Sequence, residues 1–214
     1  MFGEAFVTGL VTEYARRWPE TRIDVVLTRR RVDLVAEQFD AAFRVGKADD
    51  ATLSSVNLGA ARVLYCASPA YIATRGAPSR PEDLKRHHCI VTQSDDTPAV
   101  WPFPGSRGPR RIPISPSLKL TSFAMAYTAT LAGLGVGLFP EFACADDLRA
   151  RKLVAVLGGR SVDVGAVWLL YPARRPVPAR LRAFIDVVRT QFRGGPPWVR
   201  PSATTRGRRS NAAT

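Results

Sequence analysis

The reactive side chains of this 214-residue chain are few, and their spacing excludes most chemistries. His87 and His88 are its only histidines, adjacent to each other and to Cys89. A structural or catalytic metal needs three or four converging ligands, and no further histidine exists to complete a set, so no metal is expected. No GxSxG is present, and two neighbouring histidines are poorly placed to activate a remote serine or cysteine. No enzymatic activity is expected. The carboxylate pairs Asp95-Asp96 and Asp146-Asp147 sit beside polar or basic residues and read as solvated surface. Gly133-Leu134-Gly135-Val136-Gly137 follows a helix instead of opening one and has no phosphate-binding lysine, which makes it a helix stop. No cofactor is expected. Cys66, Cys89 and Cys144 are odd in number, widely spaced and flanked by apolar residues, so they read as buried free thiols.

Arginines and hydroxyls at the ends of elements remain as candidates. Thr28-Arg29-Arg30 precedes a stretch of helical spacing, where Thr28 and free amides could hold an anion or simply cap a turn. Arg44-Val45-Gly46 closes an apolar strand. Arg44 could fork onto a ligand carboxylate or pair with Asp40 or Asp49. Ser68-Pro69 and Thr121-Ser122 stand at helix starts, where capping alone is worth about 1 kcal/mol each. Phe139 follows the glycine turn and could be either apolar floor or core.

The chain carries 31 basic and 18 acidic residues, a net charge of +13, which favours anionic partners, either nucleic acid or small carboxylates. The arginines are scattered without interleaved aromatics, so a solvated arginine-rich surface is the bland account. No run of 18 apolar residues exists, and the N-terminus lacks a basic region followed by an apolar one. No membrane span and a cytoplasmic location are therefore expected.

The elements alternate. Phe6, Leu10, Tyr14 and Trp18 predict a helix over 4–18 that Pro19 ends, and Ile23, Val25 and Leu27 predict a strand over 22–28. Val32 to Gly46 reads as a short helix (Val32, Val35, Ala36, Phe39) entering a strand at 41–45, one half of a parallel crossover. Strands follow at 61–67, 89–92, 118–120, 136–139, 153–157 and 164–171, and helices after Ser68, at 80–86, at 123–132, after Pro140 and at 178–192. Residues 94–117 read as loop and edge hairpin anchored by Trp101 and Phe103. Alternation predicts α/β. A chain that leaves its first unit at Cys66–Ser68 and returns at Val167–Pro172 predicts two lobes, 1–67 with 168–193 against 68–167, a cleft between them, and a disordered basic tail at 194–214.

Several strings together resemble a known family. They are VDLVAEQFDAAFRVG from Val32, CASPAYIATRGAPSRPEDLKRHHCIV from Cys66, WPF at 101–103, LTSFAMAYTATLAGLGVGLFP from Leu120, RKLVAVL from Arg151 and the final helix PARLRAFIDVVRTQF. In order and spacing they are similar to the effector-binding domain of LysR-type transcriptional regulators over about residues 1–193. The resemblance implies a two-lobed periplasmic-binding-protein-like (type 2) α/β fold that senses a small anionic or aromatic metabolite. It implies a homodimer or tetramer, no membrane partner, and DNA contact only through a helix-turn-helix domain absent from this chain. It places Ser68, Pro69, Thr121 and Ser122 at the cleft, which gives an expected effector site of Thr28, Arg30, Arg44, Val45, Gly46, Ser68, Pro69, Thr121, Ser122 and Phe139.

Arg29 stands where the family string has an acid, so ligand preference there is expected to differ. The family's first sensor strand would lie upstream of Met1, leaving lobe I without it. On that reading the chain is a truncated or mis-started member with unpaired strand edges that invite association. A freestanding small-molecule-binding protein, a non-functional truncated regulator and, last, an enzyme on the same fold are the alternatives.

Overall fold

The computed structural model describes residues 2–28, 30–93, 97–106, 108–173 and 176–196; Arg29, the Asp95-Asp96 pair and the tail beyond Pro196 lie outside them. A π-helical turn (Gly3–Val7) leads into α1 (Thr8–Arg17). Leu10 and Tyr14, four apart on one face, are its buried residues. Their partner is α5 (Ala179–Phe192): the Tyr14 hydroxyl donates to the Arg180 carbonyl at 2.9 Å, and its ring meets Phe184 edge-on at 5.4 Å.

Between these helices lie β1 (Ala42–Gly46), β2 (Leu53–Ala67), α2 (Pro69–Arg75), β3 (Cys89–Thr92), β4 (Val100–Phe103), β5 (Arg110–Pro113) and β6 (Leu118–Leu120). Then come α3 (Phe123–Leu131), β7 (Val136–Pro140), α4 (Glu141–Arg149), β8 (Val154–Ala155) and β9 (Val162–Pro172). One hydrogen-bonded path runs β1-β9-β2-β7-β3-β6, with β8 on β2, while β4 and β5 form a separate hairpin.

Two long strands tie the molecule together. β2 pairs antiparallel with β9 from Leu53 to Val63, then with β7 from Val63 to Cys66. The first stretch contributes Leu58 and Ala61 to a core with Val167, Leu169 and the inner faces of α1 and α5. The second stretch is buried on both faces. Leu64 and Cys66 enter a core with Ala126 of α3 and Cys144 of α4, while Tyr65 and Ala67 enter another with Trp101 and Phe103. Successive strand residues face opposite sides, so one apolar run serves two cores. Tyr65 stacks on Phe103 at 4.9 Å and donates its hydroxyl to the Pro102 carbonyl, which fixes the hairpin as the sequence predicted through Trp101 and Phe103.

α3 ends as the glycine turn predicted. Gly133 takes φ +82, its amide donates to the Thr130 carbonyl at 3.1 Å, and the Leu134 amide reaches the Ala129 carbonyl at 3.1 Å, a Schellman pair. At Gly135 a side chain would lie 2.4 Å from the His88 carbonyl, so close packing on the β3 entry explains the second glycine.

Four expectations need correction. Residues 22–28 are not a strand: the segment joins no ladder, and Val25, Val26 and Leu27 are more than half exposed. Alternation supplies a strand only where a sheet edge lies alongside, and a cavity separates this segment from β1. The helix expected at 32–39 is a short run of turns: Asp33 Oδ1 accepts the Val35 and Ala36 amides, and Gln38 turns to φ +59 so that the Phe39 amide reaches back to Leu34. Leu34, 2% exposed, anchors it, while Val35 is half exposed. β1 pairs antiparallel with β9 and not as half of a parallel crossover. The strand expected at 61–67 begins eight residues earlier, at Leu53. A bulge lies at Asn57 to Gly59, where the Asn57 side-chain oxygen accepts the Gly59 amide at 2.8 Å.

Candidate functional site

A cleft of about 1310 Å³ opens beside β1. One wall is the irregular segment 21–28 with the turn at 33–39. The floor is β1 and the adjoining part of β2, and the far rim is the start of α3. Six of the expected site residues line it: Thr28, Arg30, Arg44, Val45, Thr121 and Ser122. Gly46, Ser68, Pro69 and Phe139 do not.

Each side chain is placed by local structure. The Thr28 hydroxyl accepts the Arg30 amide at 3.3 Å, closing a small turn. Arg30 forks onto Glu37, donating Nη1 to Oε1 at 2.7 Å and Nη2 to Oε2. Glu37 also accepts the Asp33 amide at 3.0 Å. The Arg30 hydrogen bond, then that amide, hold the Glu37 carboxyl down to about 2. Arg44, opposite Trp168 in the β1–β9 register, donates Nη2 to the Val32 carbonyl at 3.1 Å. The acids that sequence offered as its partners are engaged elsewhere, Asp40 with Arg180 at 3.2 Å and Asp49 with Arg31 at 3.8 Å. Four of the five guanidinium N–H donors of Arg44 therefore have no protein acceptor among the described residues.

Ser122 caps α3, accepting the Met125 amide at 3.5 Å, and Thr121 beside it is exposed at the rim. The start of that nine-residue helix presents partial positive charge to the cleft. Val45 is exposed.

The residues away from the cleft have other roles. The Gly46 carbonyl accepts the Trp168 indole N–H at 2.9 Å. Ser68 is buried, and its hydroxyl accepts the Tyr71 amide at 3.2 Å to cap α2, with Pro69 at the first helical position. Phe139, 1% exposed, packs against Tyr127 at 5.1 Å in the core beneath α3 and α4. The histidine pair is organised by Tyr71: its hydroxyl accepts the His88 amide at 2.9 Å and lies 3.1 Å from His87 Nδ1. Among the described residues no three His, Cys, Asp or Glu side chains gather into a metal-binding group, and no helix is long and apolar enough to cross a membrane. All three cysteines are free and buried, and burial pushes the Cys89 thiol up to about 11.

Sequence reasoning missed five lining cations, Arg22, Arg31, Lys47, Arg62 and Arg180, of which Lys47 and Arg62 have no ion-pair partner among the described residues. The available signal was their place: Lys47 follows the strand that carries Arg44, and Arg62 lies within the neighbouring apolar run.

The family model of the LysR substrate binding domain matches residues 1–193. Among curated proteins, the HTH-type transcriptional regulator PtxR of Pseudomonas aeruginosa is 28% identical over 86% of this chain and 59% of its own length. The regulator CrgA of Neisseria meningitidis serogroup C is 28% identical over 83% of this chain and 59% of its length. The chain thus spans about three fifths of the relatives it matches. Among solved structures, the regulatory domain of CrgA superposes with a TM-score of 0.70 at 25% identity, covering 89% of this chain and 94% of that one. The full-length Vibrio cholerae virulence activator AphB, a member of the LTTR family, gives 0.78 at 22% identity over 89% of this chain and 65% of that one. The fold is the two-lobed, periplasmic-binding-protein-like α/β fold of such regulatory domains. With nine tenths of its length matched by one family model, the chain belongs to the LysR substrate-binding domain family.

Proposed function

We propose that the chain is the ligand-sensing part of a transcriptional regulator, and that the cleft beside β1 takes a small anionic or aromatic metabolite. The observation that carries this is the position of Arg44. Its guanidinium, bonded to the Val32 carbonyl, lines the same cavity as Thr121 and Ser122 at the start of α3. A carboxylate between them would meet a planar donor fork on one side and a hydroxyl and helix amides on the other. Thr28 and Arg30 complete the wall. Gly46, Ser68 and Pro69 act from behind as backbone and cap.

In this reading the lobes are residues 1–67 with 168–193 and residues 68–167. The exchange of β2's partner at Val63 supports a boundary within the long strands. Closure on the ligand shifts the geometry of a homodimer or tetramer, and promoter DNA is held by a helix-turn-helix outside the residues present here. The protein works in the cytoplasm beside that DNA, and no reaction is assigned to the chain. Isothermal titration of the chain with small carboxylates, followed by amide shift mapping, tests the reading. Binding with shifts at Thr121, Ser122 and β1, weakened about tenfold or more by Arg44→Ala, is the expected result. Binding mapped away from the cleft overturns it.

A further inference from the structure

The charges lining the cleft do not cancel. Among the described residues four acidic side chains line it, and each is held by an arginine of the same lining: Asp24 by Arg22 at 3.5 Å, Glu37 by Arg30, Asp49 by Arg31 at 3.8 Å and Asp40 by Arg180 at 3.2 Å. Three more cations line the same space, Arg44, Lys47 and Arg62, and none of them is in an ion pair among the described residues.

Two further acids stand near these cations and are occupied by their own turns. Asp50 lies within electrostatic reach of Arg31 and Arg44, but its carboxylate accepts the Thr52 amide at 3.0 Å and the Thr52 hydroxyl at 2.6 Å. Asp163 is opposite Arg62 in the β2–β9 register, and its Oδ1 accepts the Gly165 amide at 2.8 Å. They lower the local potential without engaging the cationic heads.

The three cations belong to one stretch of sheet. β1 and β2 flank β9, so Lys47, which follows Gly46 opposite Ala166, comes near the level of Arg62 opposite Asp163. Two strand spacings separate their backbones by roughly 10 Å, a gap that two long side chains span. Phe39, Phe43 and Phe184 line the same cavity, which suits an organic body better than a bare inorganic ion.

We propose that the effector is an organic polycarboxylate bearing two or three negative charges, with Lys47 and Arg62 receiving the carboxylates that Arg44 does not. The inference rests on the cleft reading above and selects among the ligands it allows. A monocarboxylate or a neutral aromatic leaves at least two unneutralised cations close together in a concave wall.

The test uses one ring with rising charge: benzoate, isophthalate and benzene-1,3,5-tricarboxylate, titrated into the 214-residue chain at low and at high salt. Affinity rises about fivefold or more with each added carboxylate at low salt, and the gain shrinks at high salt. Lys47→Gln and Arg62→Gln each remove about one such step for the tricarboxylate and weaken benzoate by a smaller factor. Arg189→Gln on the exposed face of α5 changes none of the three. Equal affinities across the series, loss of the same size from Arg189→Gln, or no binding by any member overturns the proposal. If benzoate binds with shifts at Thr121 and gains nothing from added charge, this proposal fails while the cleft reading stands. Charge-dependent binding that maps elsewhere sinks both.

Discussion

Truncating Phe139 to alanine separates a core role from a ligand-facing one. The ring is 1% exposed, meets Tyr127 edge-on at 5.1 Å, and shares its core with Leu64, Cys66, Ile90, Ala126, Cys144 and Leu153. A buried phenylalanine removes roughly 150–250 Å² from water, and the truncation also leaves a cavity that β2, α3 and α4 cannot collapse around. The expected loss is about 3–5 kcal/mol of unfolding free energy. With a urea dependence near 2 kcal/mol/M, the midpoint falls by roughly 1.5–2.5 M. Urea titrations followed by far-UV circular dichroism measure it. Phe139→Leu, which keeps most of the volume, costs about 1–2 kcal/mol and gives a folded variant whatever happens to the alanine. Ligand affinity of the leucine variant stays at the parent value. A stability loss below about 1 kcal/mol for the alanine variant, or weaker binding by the leucine variant at unchanged stability, refutes the assignment of Phe139 to the core.

Other perturbations follow from the same contacts. Ser68→Ala removes the α2 cap and leaves the Tyr71 amide unsatisfied in a buried place, so a loss of about 1–2 kcal/mol in the same urea assay is expected. Gly135→Ala puts a side chain 2.4 Å from the His88 carbonyl, and a lower melting temperature with altered β3 amide shifts checks it. The Glu37 carboxyl, held down by Arg30, titrates by carbon NMR at about 2; its contribution is complete above the unfolded carboxylate range and disappears as pH falls through that value. Arg30→Gln raises that midpoint toward the ordinary range, while the Asp33 amide still holds it somewhat low. Burial holds the His87 imidazole below its usual value, so its contribution is present above the unfolded value and is lost as pH falls below it. Stability measured between pH 7 and 5 therefore declines, and His87→Gln flattens that part of the curve.

Most helices and the short interior strands were legible because their signals are local. Ser68-Pro69 and Thr121-Ser122 mark starts, Gly133 marks a stop, and α5 shows its apolar stripe through Leu181 and Ile185. The failures share a cause outside the local window. Residues 22–28 have the alternation of a strand, yet strandhood depends on a neighbouring edge that the segment does not have here. The turn at 33–39 has helical spacing, but Gln38 leaves the helical region and Leu34, not Val35, finds the core. Asn57 and Gly59 carry turn chemistry and sit in a strand because β9 runs beside them for most of its length. The site divided the same way. Arg44, Thr121 and Ser122 stand at element ends, where chemistry is visible in the sequence, whereas Lys47 and Arg62 matter only through the fold.

That division also explains why the cleft's charge was not legible. Composition gave an excess of arginine and no location for it. Pairing decides location: Arg22, Arg30, Arg31 and Arg180 each have an acid, and three of those four pairs join residues seven or more positions apart. Exposed pairs of this kind contribute little to stability, being solvated and screened. Their larger consequence is to withdraw four acids from the remaining cations. Arg44 on β1, Lys47 just after it and Arg62 on β2 line the cavity, and the one acid of β9, Asp163, is bonded to its own turn and not to them. Reversing one of the withdrawn partners tests that logic directly. In Arg180→Glu, Asp40 loses its cation and a second acid enters the lining, so tricarboxylate affinity falls by more than in Arg180→Gln while urea midpoints of the two variants stay close. Equal losses of affinity in the two variants would mean that the cleft's field does not govern binding.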